Sequence, residues 1–382
     1  MPQETHTVNT GDAPAERNLL VFMDGTWNDE NGRNNDGAVT NIYKLFTALA
    51  GSDQSDNIPF TRSNNKNLGL YFRGVGNDED NIKAMGYYQG MFGAGEKNIR
   101  DHAYASICKH YRPGDRICIL GFSRGASSAR LLASKLDKHG LPKEITLRYK
   151  TAKNKSTGEN KQLFTGYKAK EEGSHKVEVA FLGLFDTVGA FGIPINLGPL
   201  NFQKINLFRD LSLAKNVKRA VHLLAMDESR EPFLPTLTNI NEHVDEVWFP
   251  GVHADVGGGY HDGMLGNVTL EYMVSALNAE VPNIQYRTAT LQKHTSYDLN
   301  ADDFILHYHG DGFFKYARDL EVLVKEKPRE DLKPKVHECV KALMAGENMY
   351  YSERFNSFAT KVPVQYDPLN LKAVAQGIEF VS

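Results

Sequence analysis

Ser123 lies in the pentapeptide Gly121-Phe122-Ser123-Arg124-Gly125, between the apolar run Ile117–Leu120 and a small-residue stretch beginning at Ala126. A serine with glycine two positions away on each side, at a change from strand to helix, has the form of a nucleophile elbow. The glycines tolerate a tight, strained turn, and the serine side chain projects towards substrate. The five-letter pattern alone is weak in a chain with 33 glycines, so the flanking strand and helix carry the assignment. An ordinary structural turn is the competing reading. A phosphate loop would end in Gly-Lys-Ser/Thr, whereas Arg124 is followed here by Gly125-Ala126.

A neutral hydroxyl is a poor nucleophile at neutral pH and needs a base, itself held by a third group. Asp186 closes the apolar strand pattern VEVAFLGLFD, where a sheet-based hydrolase can hold its acid; the alternative role is a cap for the turn at Thr187 and Val188. His253 follows Pro250-Gly251 and completes the chain order Ser, Asp, His. His261, His294, His307 and His309 compete as bases, and sequence distance does not choose among them. For the oxyanion the sequence offers backbone N–H groups, one at Gly25 in Asp24-Gly25-Thr26 and one at Arg124 directly after the serine. The Asp24 carboxylate would repel an oxyanion and is better used to organise its own loop. The Arg124 guanidinium could meet an anionic substrate or an ordinary surface carboxylate. Asp24, Asp186, His253 and Asp255 also permit a rival, a metal-dependent hydrolase of a phosphoester, although their spacing is not diagnostic. The expectation is that no metal and no cofactor take part.

These residues require a scaffold that brings several strand ends together. NLLVFMDG, LGLYFRGVG, RICILGF, VEVAFLGLFD and EVWFPG read as strands ending in turns; NIYKLFTALA, IRDHAYASICKHY, the stretch after Ser123 and LGNVTLEYMVSALNAE read as helices. VKRAVHLLAMDESR is also read as a helix, and MGYYQGMFGAGEKNIR as a glycine-rich connector. The alternation points to one α/β domain over 18–382, after a loose N-terminal arm at 1–17. Insertions are expected near 141–176 and 191–240, with a C-terminal extension from about 282. Pro194 and Pro199 make 191–209 a loop or lid, in which Phe202 or Phe208 could hold an acyl chain or simply pack in the core.

The chain has 382 residues, 41% of them hydrophobic, which is enough for a substantial core. Three cysteines, Cys108, Cys118 and Cys339, cannot staple a chain of this size. The formal charge of −3, with both signs interleaved, gives no basis for holding a nucleic-acid backbone. The polar first eighteen residues hold no signal-peptide core, and no apolar run is long enough to span a bilayer. The expected location is the cytoplasm of the producing cell, with export lacking a signal peptide left open, as are peripheral membrane contact and oligomeric state.

Five stretches in order, FMDGTWN at 22–28, GFSRGA at 121–126, FLGLFDTVGA at 181–190, AMDESREPF at 225–233 and WFPGVHADVGGGY at 248–260, resemble the α/β-hydrolase family DUF2235. That family includes the catalytic domain of Tle1-like type VI secretion phospholipase effectors. The combination spans about 240 residues and is far more specific than the serine pentapeptide alone. The resemblance implies a mostly parallel α/β-hydrolase-like central sheet flanked by helices, with lid or cap insertions. It further implies Ser123 as nucleophile, Asp186 as acid and His253 as base, acting on an acyl ester or phospholipid. A non-enzymatic interaction module on the same fold is the remaining alternative.

Overall fold

The computed structural model describes residues 2–9, 11, 16–32, 37–55, 58–76, 88–153, 160–189, 213–230, 233–299, 304–308, 318–346, 349–355, 358–374 and 376–382. In chain order, a short strand β1 (Gln3–Thr7) precedes β2 (Asn18–Met23), helix α1 (Asn41–Ala48), β3 (Ser52–Ser55), β4 (Phe60–Ser63) and β5 (Asn67–Phe72). Helix α2 (Tyr88–His110), β6 (Arg116–Phe122) and α3 (Arg124–His139) follow, then β7 (Glu144–Lys153), β8 (Asn160–Lys170), β9 (Val179–Phe185), β10 (Ala220–Ala225) and β11 (Val244–Phe249). The remainder includes α4 (His253–Gly257), α5 (Met264–Glu280), α6 (Thr288–Thr295), β12 (Ile305–Tyr308), two-residue strands β13 (Leu323–Val324) and β14 (Lys327–Pro328), β15 (Lys335–His337) and α7 (Cys339–Ala345). It ends with β16 (Met349–Phe355), β17 (Phe358–Val364), a short α8 (Leu369–Lys372) and β18 (Glu379–Val381).

One ten-stranded sheet organises these elements, in the order β18-β15-β11-β10-β9-β6-β2-β5-β4-β3. Every neighbouring pair from β18 to β5 is parallel, and β4 and β3 are added antiparallel at one edge. Strands covered on both faces must be apolar at successive positions, which is why β2, β5 and β10 are buried along their whole length. Within β2, Leu19, Val21 and Met23 pack with α2 and α3, while Leu20 and Phe22 pack with α1 and α5. This two-residue alternation divides the core into two layers. The fold is therefore a mixed α/β fold, with a central sheet flanked by helices and extended by insertions.

Several local expectations change. VKRAVHLLAMDESR supplies β10, not a helix: a short apolar run does not discriminate helix from strand, and burial between β9 and β11 decides it. The stretch 191–240 consequently includes a central strand; its lid portion, 191–209, lies outside the described residues. Within 141–176, β7 and β8 pair antiparallel, and Ile145, Leu147 and Phe164 pack into the core layer beside α2. Within 1–17, β1 pairs antiparallel with β7. The glycine-rich connector enters α2 at Tyr88, and the C-terminal part adds β15 and β18 to the central sheet.

Candidate active site

Ser123 joins β6 to α3 with φ 58° and ψ −124°, a conformation disfavoured for a side chain with a Cβ. The flanking glycines follow from close backbone approach. A Cβ on Gly121 would lie 2.5 Å from Gly125 O, and one on Gly125 would lie 2.2 Å from Met23 O. Helix α3 thus rests directly on the end of β2, leaving Ser123 at the apex of the turn. Its N–H donates to Phe185 O at 2.9 Å, and its carbonyl accepts from Val188 N at 3.3 Å. These bonds straddle Asp186.

Asp186, fully buried at the end of β9, receives His253 Nδ1 on Oδ2 at 2.5 Å and the Ala225 N–H on Oδ1 at 3.0 Å. Burial alone would raise its pKa; Arg318 and the His253 hydrogen bond overcome this and hold the carboxyl well below the usual range. An ionised carboxylate only accepts, so Nδ1 carries the proton and Nε2 keeps its lone pair. Burial lowers the His253 pKa, against the opposing pull of Asp186. The imidazole is packed by Phe122 and Phe233, with ring centroids 4.6 and 4.8 Å away, and its backbone N–H donates to Glu228 Oε2 at 3.1 Å. Ser123 reaches this pair through its backbone and the Phe122 ring; no hydrogen bond joins Ser123 Oγ to His253 among the described residues.

The turn at Asp186 is held from behind. The Thr187 N–H donates to His222 Nε2 at 3.2 Å, and His222 Nδ1 lies 2.9 Å from Glu246 Oε2, which also accepts the Thr238 N–H and hydroxyl. On the far side Arg318, from the C-terminal part, donates Nη1 to Asp186 Oδ1 at 2.6 Å and Nη2 to Oδ2 at 2.9 Å. Arg318, His222 and Glu246 were not singled out in the sequence. The two β-strand residues look like any buried polar position, and Arg318 stands in a stretch without periodicity.

Gly25, the other expected oxyanion donor, follows Asp24 just past the end of β2. Its N–H donates to Asp24 Oδ1 at 2.8 Å and is therefore engaged within its own turn. The Asp24 carboxylate also accepts from the Thr40 hydroxyl and, at 2.7 Å, from Tyr71 OH. Burial pushes Asp24 up to about 7, so it organises the loop after β2, the alternative open to it in the sequence. Arg124 begins α3 and places its backbone N–H at the helix N-terminus. Its guanidinium stacks over Trp27, 5.4 Å from the ring centroid.

The rival residues have other partners. His307 Nδ1 lies 2.6 Å from Asp255 Oδ1 and Nε2 lies 3.1 Å from Asp262 Oδ1, with Tyr260 stacked on the ring at 3.5 Å. Burial opposes its protonation, but the two carboxylates raise its pKa to about 9, and neither ring nitrogen is left to take a proton from serine. Asp255 caps α4 through the Val252 N–H and faces His307, so His253 and Asp255 do not converge on one point. His261 and His294 line a separate cavity of about 440 Å³ with Lys44 and Lys293. His309, Phe202 and Phe208 lie outside the described residues. Among the described residues no cluster of three or more His, Cys, Asp or Glu could hold a metal ion, and no helix is long and apolar enough to cross a membrane.

Residues 17–276 match the family described as T6SS, phospholipase effector Tle1-like, catalytic domain. The chain belongs to this family. A curated relative of this Tle1-like domain is the uncharacterized protein YEL023C of Saccharomyces cerevisiae, 27% identical over 234 residues, which are 57% of this chain and 32% of the yeast protein. Among solved structures, an uncharacterized protein from Pseudomonas aeruginosa superposes with a TM-score of 0.45 at 20% identity, covering 74% of this chain and 49% of that one. The Tle1 effector bound to the VgrG spike of the type 6 secretion system superposes with a TM-score of 0.38 at 20% identity, covering 66% and 52%. The Tle1-like chain thus spans about a third of the yeast protein and about half of each solved chain.

Proposed function

We propose that the chain is a serine esterase or lipase of the phospholipase A type, with Ser123 as nucleophile, His253 as base and Asp186 as the acid that orients it. The observation that carries this reading is the 2.5 Å contact between His253 Nδ1 and Asp186 Oδ2 beside the strained Ser123 turn. The reading is supported by the strand ends: Ser123 and Asp186 directly follow β6 and β9, and His253 lies just beyond β11, all at one end of parallel strands. Membership in a phospholipase catalytic-domain family supplies the substrate class, an acyl ester of a lipid.

In the proposed reaction the Ser123 Oγ–H proton passes to His253 Nε2 as Oγ attacks the ester carbonyl, a contact that substrate binding closes. The Arg124 N–H faces the tetrahedral oxyanion. Collapse breaks the bond to the alcohol, which leaves with the proton from Nε2; water then repeats the attack on the acyl-enzyme and returns the serine. An alkyl phosphonate is the direct test. Covalent labelling at Ser123, abolished in Ser123→Ala, is expected together with acyl-ester turnover. A folded wild-type protein that neither labels nor turns over acyl esters would favour an interaction module, and full turnover by folded Ser123→Ala would reject the mechanism.

A further inference from the structure

We propose that Arg318 is a positioning residue for the Asp186–His253 pair, fixing the orientation and charge of the carboxylate so that His253 rests as a neutral base. The inference rests on the serine-hydrolase reading above. Arg318 is buried, its side chain 1% exposed, and both ends of its guanidinium fork are used twice. Nη1 donates to Asp186 Oδ1 and to Ala225 O, each at 2.6 Å, while Nη2 donates to Asp186 Oδ2 at 2.9 Å and to Phe233 O. The two Nη groups meet the carboxylate end-on as a planar fork, so this contact fixes rotation about the Asp186 Cβ–Cγ bond. The remaining direction on Oδ2 is taken by His253 Nδ1, and that on Oδ1 by the Ala225 N–H. Asp186 itself has φ 39°, a conformation a non-glycine residue keeps only when its surroundings impose it. Arg318 lies outside residues 17–276, so the proposed acid of the family-matched region is completed from further along the chain.

Charge follows from the same contacts. The ionisable groups acting on His253 are Asp186 at the end of β9 and Glu228 and Arg230 in the loop after β10; nearby in the chain, Asp227 accepts the Gly251 N–H and Asp255 on α4 faces His307. Glu228 is ion-paired with Arg230 at 2.7 Å. Arg318 sets a cation on the same carboxylate that holds the imidazole. An aspartate paired in this way stabilises an imidazolium less than a solitary one would, and the base form of His253 is favoured.

The test compares wild type, Arg318→Met and Arg318→Lys by kcat/KM against pH on an acyl ester and by NMR titration of the His253 imidazole. Arg318→Met is expected to move both the acid limb and the imidazole midpoint to higher pH, by about one unit. It should also lower the plateau kcat/KM by about 10²-fold, as misplacement of a reacting group does. Arg318→Lys keeps the charge and loses the fork, so its plateau should fall while its midpoint stays nearer wild type. If Arg318→Met does not fold, the lysine variant decides: a kcat loss at unchanged KM supports positioning, and wild-type kcat/KM overturns it. A purely structural cross-tie predicts altered stability with the imidazole midpoint and acid limb unmoved. The imidazole titration needs no turnover, so an inactive wild type with a shifted midpoint in the variant would sink the serine-hydrolase reading alone. An active wild type with an unmoved midpoint would sink the role of Arg318 alone.

Discussion

His253 Nδ1 sits 2.5 Å from Asp186 Oδ2 although the two residues are sixty-seven positions apart, and the contact is made in a fully buried setting. A buried carboxylate is costly unless it is paired and hydrogen-bonded on both oxygens. Asp186 meets that condition through His253, Arg318 and the Ala225 N–H. In the proposed mechanism Nε2 is the imidazole nitrogen left to take the serine proton, once substrate binding brings Ser123 Oγ to it.

Asp186→Asn is predicted to abolish most turnover, with kcat down by about 10⁴-fold, because a side-chain amide favours the wrong imidazole tautomer. It also leaves Arg318 buried without its anion, a loss of about 3–5 kcal/mol in stability. The pH dependence has a defined sign. The folded-state pKa of Asp186 is depressed, so its stabilisation is present above the unfolded value near 3.8 and disappears as pH falls through the lower folded value. Denaturation of both proteins from pH 7 towards pH 2 should show the gap between wild type and variant closing only in strong acid.

Gly125→Ala tests the elbow itself. The added Cβ would stand 2.2 Å from Met23 O and 2.4 Å from Asp24 O, backbone atoms at and just past the end of β2 that cannot swing aside. Overpacking of this kind costs about 1–3 kcal/mol, and the Ser123 turn should shift with it. Thermal denaturation should show a lower melting temperature, and phosphonate labelling of Ser123 should slow. An unchanged melting temperature together with unchanged labelling would mean that the close contact between α3 and β2 does not shape the site.

The parts of this site that were legible in the sequence are those whose chemistry is local. A glycine on either side of Ser123 reports a backbone contact, and an aspartate at the end of an apolar run reports a strand end, so both could be placed without coordinates. What could not be read was anything decided by a distant partner. The run at Ala220–Ala225 became a strand because β9 and β11 cover it. Arg318 carries no local signal at all; its role exists only because the chain returns to the end of β9.

Asp24 gives a pH prediction of the opposite sign to Asp186. Burial raises its folded-state pKa to about 7, so between the unfolded value near 3.8 and about 7 the native state binds more protons than the unfolded state. Stability from this group therefore falls as pH rises through that window. Asp24→Asn keeps an oxygen acceptor for the Gly25 N–H and does not titrate. Its stability relative to wild type should improve between pH 4.5 and pH 8, measured by urea denaturation. A constant difference across that range would show that Asp24 is ionised throughout in the folded protein.

His307 separates the two histidines that contend for the role of base. It is held between Asp255 and Asp262 with its pKa raised to about 9, so its contribution to stability is fully present below the unfolded value near 6.5 and is lost as pH rises through about 9. His307→Gln should be markedly less stable than wild type at pH 6, with a gap that narrows by pH 10, and folded His307→Gln should retain ester turnover. His253→Gln should lose turnover by about 10³-fold or more, because it removes the nitrogen that accepts the serine proton. The paired measurement is decisive because both imidazoles are buried and each is bonded to an aspartate; the base is the one whose loss stops hydrolysis while the protein stays folded. Retained turnover in His253→Gln with loss in His307→Gln would reverse the assignment and place the chemistry at Asp255 rather than Asp186.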